Sequence, residues 1–161
     1  MTAHELLVDL LGEAYDRPSW HGPNLKAALK GVGAKQAAWQ PGRDRPSIWH
    51  IALHAAYWKH RVWVRVTGAG ADEKFPRPGV DWPDPPRKAD AALWRKDVLL
   101  LGQMHRRLMQ ALVGLSSEDL LEPGPGQKRP RIEHLVGIAL HDTYHAGQIR
   151  TIRRLYEARR R

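Results

Sequence analysis

The sequence predicts an all-α fold, an up-down four-helix bundle with a long loop between helices 2 and 3. Three observations carry this. Apolar residues recur at helical spacing in four blocks. Proline and glycine cluster between the blocks. No stretch shows the sustained alternation of a half-buried strand.

The first block runs from about Ala3 to Val32 and is broken near "DRPSWHGPN". Pro18 and the Gly22–Pro23 pair do not fit inside a helix, because proline lacks the donor that helix bonding requires. Ser19 or Asn24 can cap the restart. The second block runs from Ile48 to about Thr67, with Ser47 as N-cap and Gly68 as stop. The third covers roughly Ala89 to Val113, with Asp90 near its start and Gly114 near its end. The fourth runs from about Ile132 to Ala158.

Between the second and third blocks lies "GAGADEKFPRPGVDWPDPPRK". A loop that long in a compact domain is functional or mobile. Phe75 and Trp82 within it predict that it folds back over something. The link "EPGPGQKRP" before the fourth block is shorter and polar, and there is no internal repeat.

The 161 residues suit one domain, spanning residues 1–161. Apolar residues make up 42% of the chain, which argues against disorder. Without cysteine there is no disulfide, thiolate metal site or cysteine nucleophile. That composition fits a reducing compartment, and a cytoplasmic location is expected. The opening "MTAHELLVDLLGEAY" carries Glu5, Asp9 and Glu13 and reads as an amphipathic helix rather than a signal peptide. No apolar run nears the roughly 20 residues of a membrane span, so no membrane partner is expected.

The net charge of +9 can attract nucleic acid. Much of the excess falls late, at Arg150, Arg153, Arg154, Arg159, Arg160 and Arg161. Positive charge is favoured near a helix C-terminus, so a solvated helix end competes with an anion-binding role. No interleaved aromatic and basic motif accompanies these arginines, and a nucleic-acid partner is not expected. The chain also lacks a G-x-S-x-G element and a phosphate-binding glycine loop.

Nine histidines remain to be explained. In "HDTYHAGQI", His141 and His145 are four residues apart, hence ~40° apart and ~6 Å along a helix axis. Zinc sites use the same spacing. Leu135, Ile138, His141, His145, Gln148 and Ile149 share one side, which Ile152 continues, so the pair points inward. Buried neutral imidazoles need a partner for each ring nitrogen, and a metal satisfies one on each. A third ligand should come from a facing helix. In "SIWHIALHAAYWKH", His54 falls among Ile48, Ile51, Ala55 and Trp58 on the inner face. His50, four residues earlier, competes as a ligand or supports one from behind. Three histidines with open coordination positions would make a reactive centre. Asp142 points ~100° from His141 and is a poor ligand. The competing reading is that these histidines merely pack.

Other residues can be placed around such a site. Trp20, His21 and Trp82 can line its mouth as substrate contacts, or plug the end of the bundle. Tyr57 and Tyr144 flank ligand positions, as substrate contacts or core, and Tyr144 could exchange a proton. Arg43 and Arg45 precede the ligand helix and could hold a carboxylate; the alternative is that they are ordinary surface arginines.

Taken together, "SIWHIALHAAYWK" and "HDTYHAGQI", with its HxxxHxGQ ending, resemble the DinB/YfiT-like superfamily of metal-binding four-helix bundles. The resemblance covers essentially the whole chain. It implies the metal ligands His54, His141 and His145, with His50 outside the set. It implies a divalent ion, nickel or zinc first, although histidine sites also take iron, cobalt and copper. It gives Gly147 the role of letting neighbouring backbone approach closely, and Gln148 a hydrogen bond inside the bundle. It implies a homodimer and a small-molecule substrate. Relatives include thiol-dependent transferases and isomerases, in which a metal lowers the pKa of a low-molecular-weight thiol cofactor. The expected function is a metal-dependent enzyme of thiol S-transferase or hydrolase type. The alternative is a non-catalytic, stress-related metal- or ligand-binding bundle.

Overall fold

The computed structural model describes residues 1–70 and 72–159. These form seven helices: α1 (Ala3–Tyr15), α2 (Leu25–Leu29), α3 (Ala34–Ala38), α4 (Ile48–Thr67), α5 (Ala91–Val113), α6 (Ser117–Leu121) and α7 (Arg131–Ala158). Among the described residues there is no strand, only an isolated bridge between Pro123 and Pro130. The fold is all-α, as the apolar spacing predicts.

The caps explain the boundaries. Thr2 and Glu5 form a reciprocal capping box at the start of α1. Ser47 caps α4, and Gly68 ends it in the left-handed conformation at φ 69°. Asp90 accepts from the Leu93 amide to start α5. Of the two restart caps, Asn24 is the one used, accepting from Ala27 N at 2.8 Å. That restart is α2, which ends at Leu29. The additional helices α3 and α6 have five residues each, too short for an apolar stripe to repeat, so periodicity alone does not reveal them.

The four long helices do not alternate in direction as expected. Along α4 and α5 the numbers of paired residues rise together. Trp49 Nε1 donates to Asp97 at 2.8 Å, and Lys59 Nζ lies 3.2 Å from His105 Nδ1. These two helices are parallel neighbours. Along α4 and α7 the numbers run oppositely: Lys59 meets Asp142, while Val66 O accepts from Arg131 Nε at 2.8 Å. Helices α1 and α5 are also antiparallel. His4 Nε2 lies 2.9 Å from Leu112 O, and Tyr15 stacks on His105 with centroids 4.0 Å apart.

Parallel neighbours need a crossover, and α4 alone is ~30 Å long. The long loop provides it by retracing α4 from its end towards its start. Glu73 O meets His60 Nε2 at 3.1 Å, Phe75 packs edge-on to Tyr57, and Trp82 stacks on His54. The embedded aromatics therefore fold back over α4. Two ion pairs fasten the loop to α5. Glu73 takes a two-pronged bond from Arg107, whose guanidinium lies 3.7 Å from the Trp63 ring centre. Arg77 Nη1 sits 3.4 Å from the buried Asp97.

The core has two apolar clusters. One joins α2 and α3 to the first half of α4, the start of α5 and the end of α7. The other joins α1 to the last turns of α4 and α5 and the start of α7. Between them lies a polar layer of Lys59, His105 and Asp142. Late arginines take structural roles: Arg153 donates to Ala28 O and Lys30 O, and Arg159 packs on Tyr156 and Trp39. Arg160 and Arg161 lie outside the described residues. No helix among the described residues is long and apolar enough to cross a membrane.

Candidate metal centre

The antiparallel contact of α4 with α7 brings His54 against His141 and His145. The i, i+4 spacing turns both α7 rings toward α4. His141 Nε2 lies 3.0 Å from His54 Nε2 and 3.1 Å from His145 Nε2. One potential ligand atom from each ring falls within 4.8 Å of the others. His54 and His145 are buried, and His141 is partly exposed.

The outer nitrogens fix the tautomers. Nδ1 of His54 faces the Asp81 carbonyl at 2.7 Å, and Nδ1 of His145 faces Gln148 Oε1 at 2.7 Å. Both acceptors are oxygens, so both Nδ1 atoms carry the proton and both Nε2 atoms offer lone pairs. His141 Nε2 can donate to only one of its neighbours. The other lone pair then has no hydrogen, and His141 Nδ1 is itself buried without a partner. This arrangement is poorly satisfied as a hydrogen-bonded cluster. A cation that accepts all three lone pairs would satisfy it, and neutral imidazole nitrogens suit a divalent first-row metal ion.

Electrostatics point the same way. Burial first, then His145, His54 and Lys59, lowers the pKa of His141 to about 3. Burial and His54 lower His145 to about 4, against the opposing bond to Gln148. Burial also lowers His54, although Asp81 opposes the shift. The rings are therefore neutral near pH 7, the protonation state a metal requires.

The crossover loop closes over this centre. Trp82 stacks on His54 with centroids 3.7 Å apart at 12°. Asp81, at φ 65°, offers its carbonyl to His54 and its carboxylate to Trp58 Nε1 at 2.6 Å. Its carboxylate also lies 3.3 Å from His54 Nδ1. Behind the centre, Lys59 Nζ bonds to Asp142 Oδ2 and approaches His105. Burial raises the pKa of Asp142 against the pull of Lys59.

The other sequence candidates divide. Trp82 reaches the centre, and Tyr144 packs edge-on to His145. His50 does not join the cluster; its Nδ1 bonds to Ser47 at the helix cap. Tyr57 packs between Trp58 and Phe75 under the loop. Trp20 is 93% exposed and meets His21 edge-on. Neither Trp20 nor His21 has a ring contact with the three histidines among the described residues. Gly147 departs from its expected role: a Cβ there would meet nothing within 4 Å. The close backbone approach occurs at Gly124, where a Cβ would fall 1.9 Å from Arg65 O.

Sequence reasoning missed Asp81, Lys59, Asp97 and His105. Lys59 could have been found, because it continues the buried Ala55–Val62–Val66 spacing of α4. Asp142 was weighed only as a ligand, yet it follows Ile138 on the buried side of α7. Asp81 lies in an irregular loop that gives no periodic signal.

Helix packing and donor chemistry together define a helical protein able to hold a divalent ion on three histidines. The chain belongs to the DinB superfamily, whose family model matches residues 19–149. No curated protein and no solved structure is a significant match.

Proposed function

We propose that His54, His141 and His145 hold one divalent ion, nickel or zinc, and that the chain is a metal-dependent enzyme acting on a small molecule. The observation that carries this reading is the convergence of three Nε2 lone pairs while two of the outer nitrogens are already bonded. A bound ion would supply Lewis acidity, lowering the pKa of a thiol or a water at neutral pH. The protein supplies orientation. Asp81 and Gln148 hold His54 and His145 in the ligand tautomer, and Trp82 limits access of water to one face of His54. The thiol S-transferase reading is preferred to the hydrolase reading because of the family resemblance. A homodimer in the cytoplasm completes the proposal.

The test is to load the apo-protein with nickel or zinc and assay it with thiol and electrophile pairs and with hydrolysable amides and esters. Metal-dependent turnover that is lost in His54→Ala supports the enzyme. Stoichiometric metal without turnover of either substrate class favours the second reading, a non-catalytic metal-binding bundle. The specific observation behind that reading is Trp82 lying flat against a ligand ring.

A further inference from the structure

A cleft of about 770 Å³ between α1, α2 and α5 contains none of the three histidines. A second cleft of about 630 Å³ runs along α7 behind His145. Its size is ordinary for a small-molecule site. Ile51, Ile152 and Leu155 give it apolar walls, together with Pro41 and Pro46. Arg45 is the only charged residue among its lining residues, and no carboxylate lies within 4.0 Å of it among the described residues.

A run of hydrogen bonds joins this cleft to the centre. His145 Nδ1–H donates to Gln148 Oε1 at 2.7 Å, and Gln148 Nε2 donates to the Tyr144 hydroxyl oxygen at 3.0 Å. The Tyr144 hydroxyl therefore already accepts, and its own proton has no acceptor among the described residues. Tyr144 is 63% exposed and lines the cleft.

We propose that this cleft is a binding subsite for a small amphipathic carboxylate, held by Arg45 and Tyr144, and that Gln148 links its occupancy to His145. The cleft supplies a planar guanidinium fork and a phenol proton, which match a carboxylate. Its apolar walls call for a hydrocarbon body beside the anion, which inorganic phosphate lacks. Gly147 keeps the cleft wide, since its missing side chain leaves open space. The subsite can be judged without metal; the link to His145 rests on the proposed metal centre.

The experiment uses the full chain and 4-phenylbutanoate as probe. Calorimetry on the apo-protein should show binding that is about 10-fold or more weaker in Arg45→Gln and about 5-fold weaker in Tyr144→Phe. The uncharged 4-phenylbutanamide should not compete. Absence of probe binding, equal binding by Arg45→Gln, or competition by the amide would overturn the subsite. The cobalt-loaded protein should then show a shift of its visible bands on adding the probe, and Tyr144→Phe should not. Probe binding with unshifted bands in the wild type would overturn the link. Failure to take up cobalt would overturn the metal centre and the link together, while calorimetry would still decide the subsite.

Discussion

Replacing Lys59 with methionine removes the ammonium but keeps most of the side-chain volume. Lys59 is fully buried, and its partner Asp142 is 1% exposed. Asp142 Oδ1 already lacks a hydrogen-bond partner. Losing Lys59 would strip Oδ2 as well, leaving a carboxylate buried and unpaired. Removing one member of a buried pair costs about 3–5 kcal/mol, against a typical total stability of about 5–15 kcal/mol. Lys59 also faces His105 and lies 4.9 Å from the Tyr15 ring centre, so its loss loosens contacts among α1, α4, α5 and α7. The double variant Lys59→Met/Asp142→Leu removes both charges and should recover to within about 1 kcal/mol of wild type or better. Urea unfolding of the wild type, Lys59→Met, Asp142→Leu and the double variant, all as apo-proteins, gives the coupling energy directly. A loss under about 1 kcal/mol in Lys59→Met, with additive single variants, would refute this account of the polar layer.

Further predictions concern the centre and the backbone. Gln148→Leu frees the His145 ring and should weaken metal binding by about 10–100-fold with little change in melting temperature; competition with a chelator measures this. The lowered pKa values of His141, His145 and His105 (the last to about 2) mean that the unfolded chain binds more protons than the folded one below about pH 6.5. Apo-protein stability should therefore fall as pH drops from about 6.5 to 5, before most carboxylates titrate. A flat melting temperature across that window would contradict the assigned neutral rings. Gly124→Ala should destabilise by about 1–3 kcal/mol because its Cβ would meet Arg65 backbone. Gly147→Ala, in open space within a helix, should gain roughly 0.5–1 kcal/mol by thermal or urea unfolding.

Much of the site was legible because helical spacing carries direction. The i, i+4 pair on α7 and the inward position of His54 required only periodicity and the idea of facing helices. The caps at Ser47, Asn24 and Asp90 were legible for the same local reason, being short polar side chains at the ends of apolar stripes. Helix direction was not legible, because a long loop is compatible with either sense until its contacts are known. The loop's path along α4 settles it, through Glu73 at His60 and Trp82 at His54. Asp81 was hidden because its role depends on its backbone carbonyl and a left-handed φ, neither of which a residue type specifies. Lys59 and Asp142 were overlooked because charged residues usually mark solvent, and only their spacing places them inside.

Metal occupancy of the three histidines can be measured directly. The direct measurement is elemental analysis of untagged protein beside the His54→Ala/His141→Ala variant, each incubated with nickel or zinc and then desalted. About one ion per wild-type chain is expected, and none in a variant that remains folded. Equal metal in both proteins, or none in either, would contradict a metal site on these three histidines.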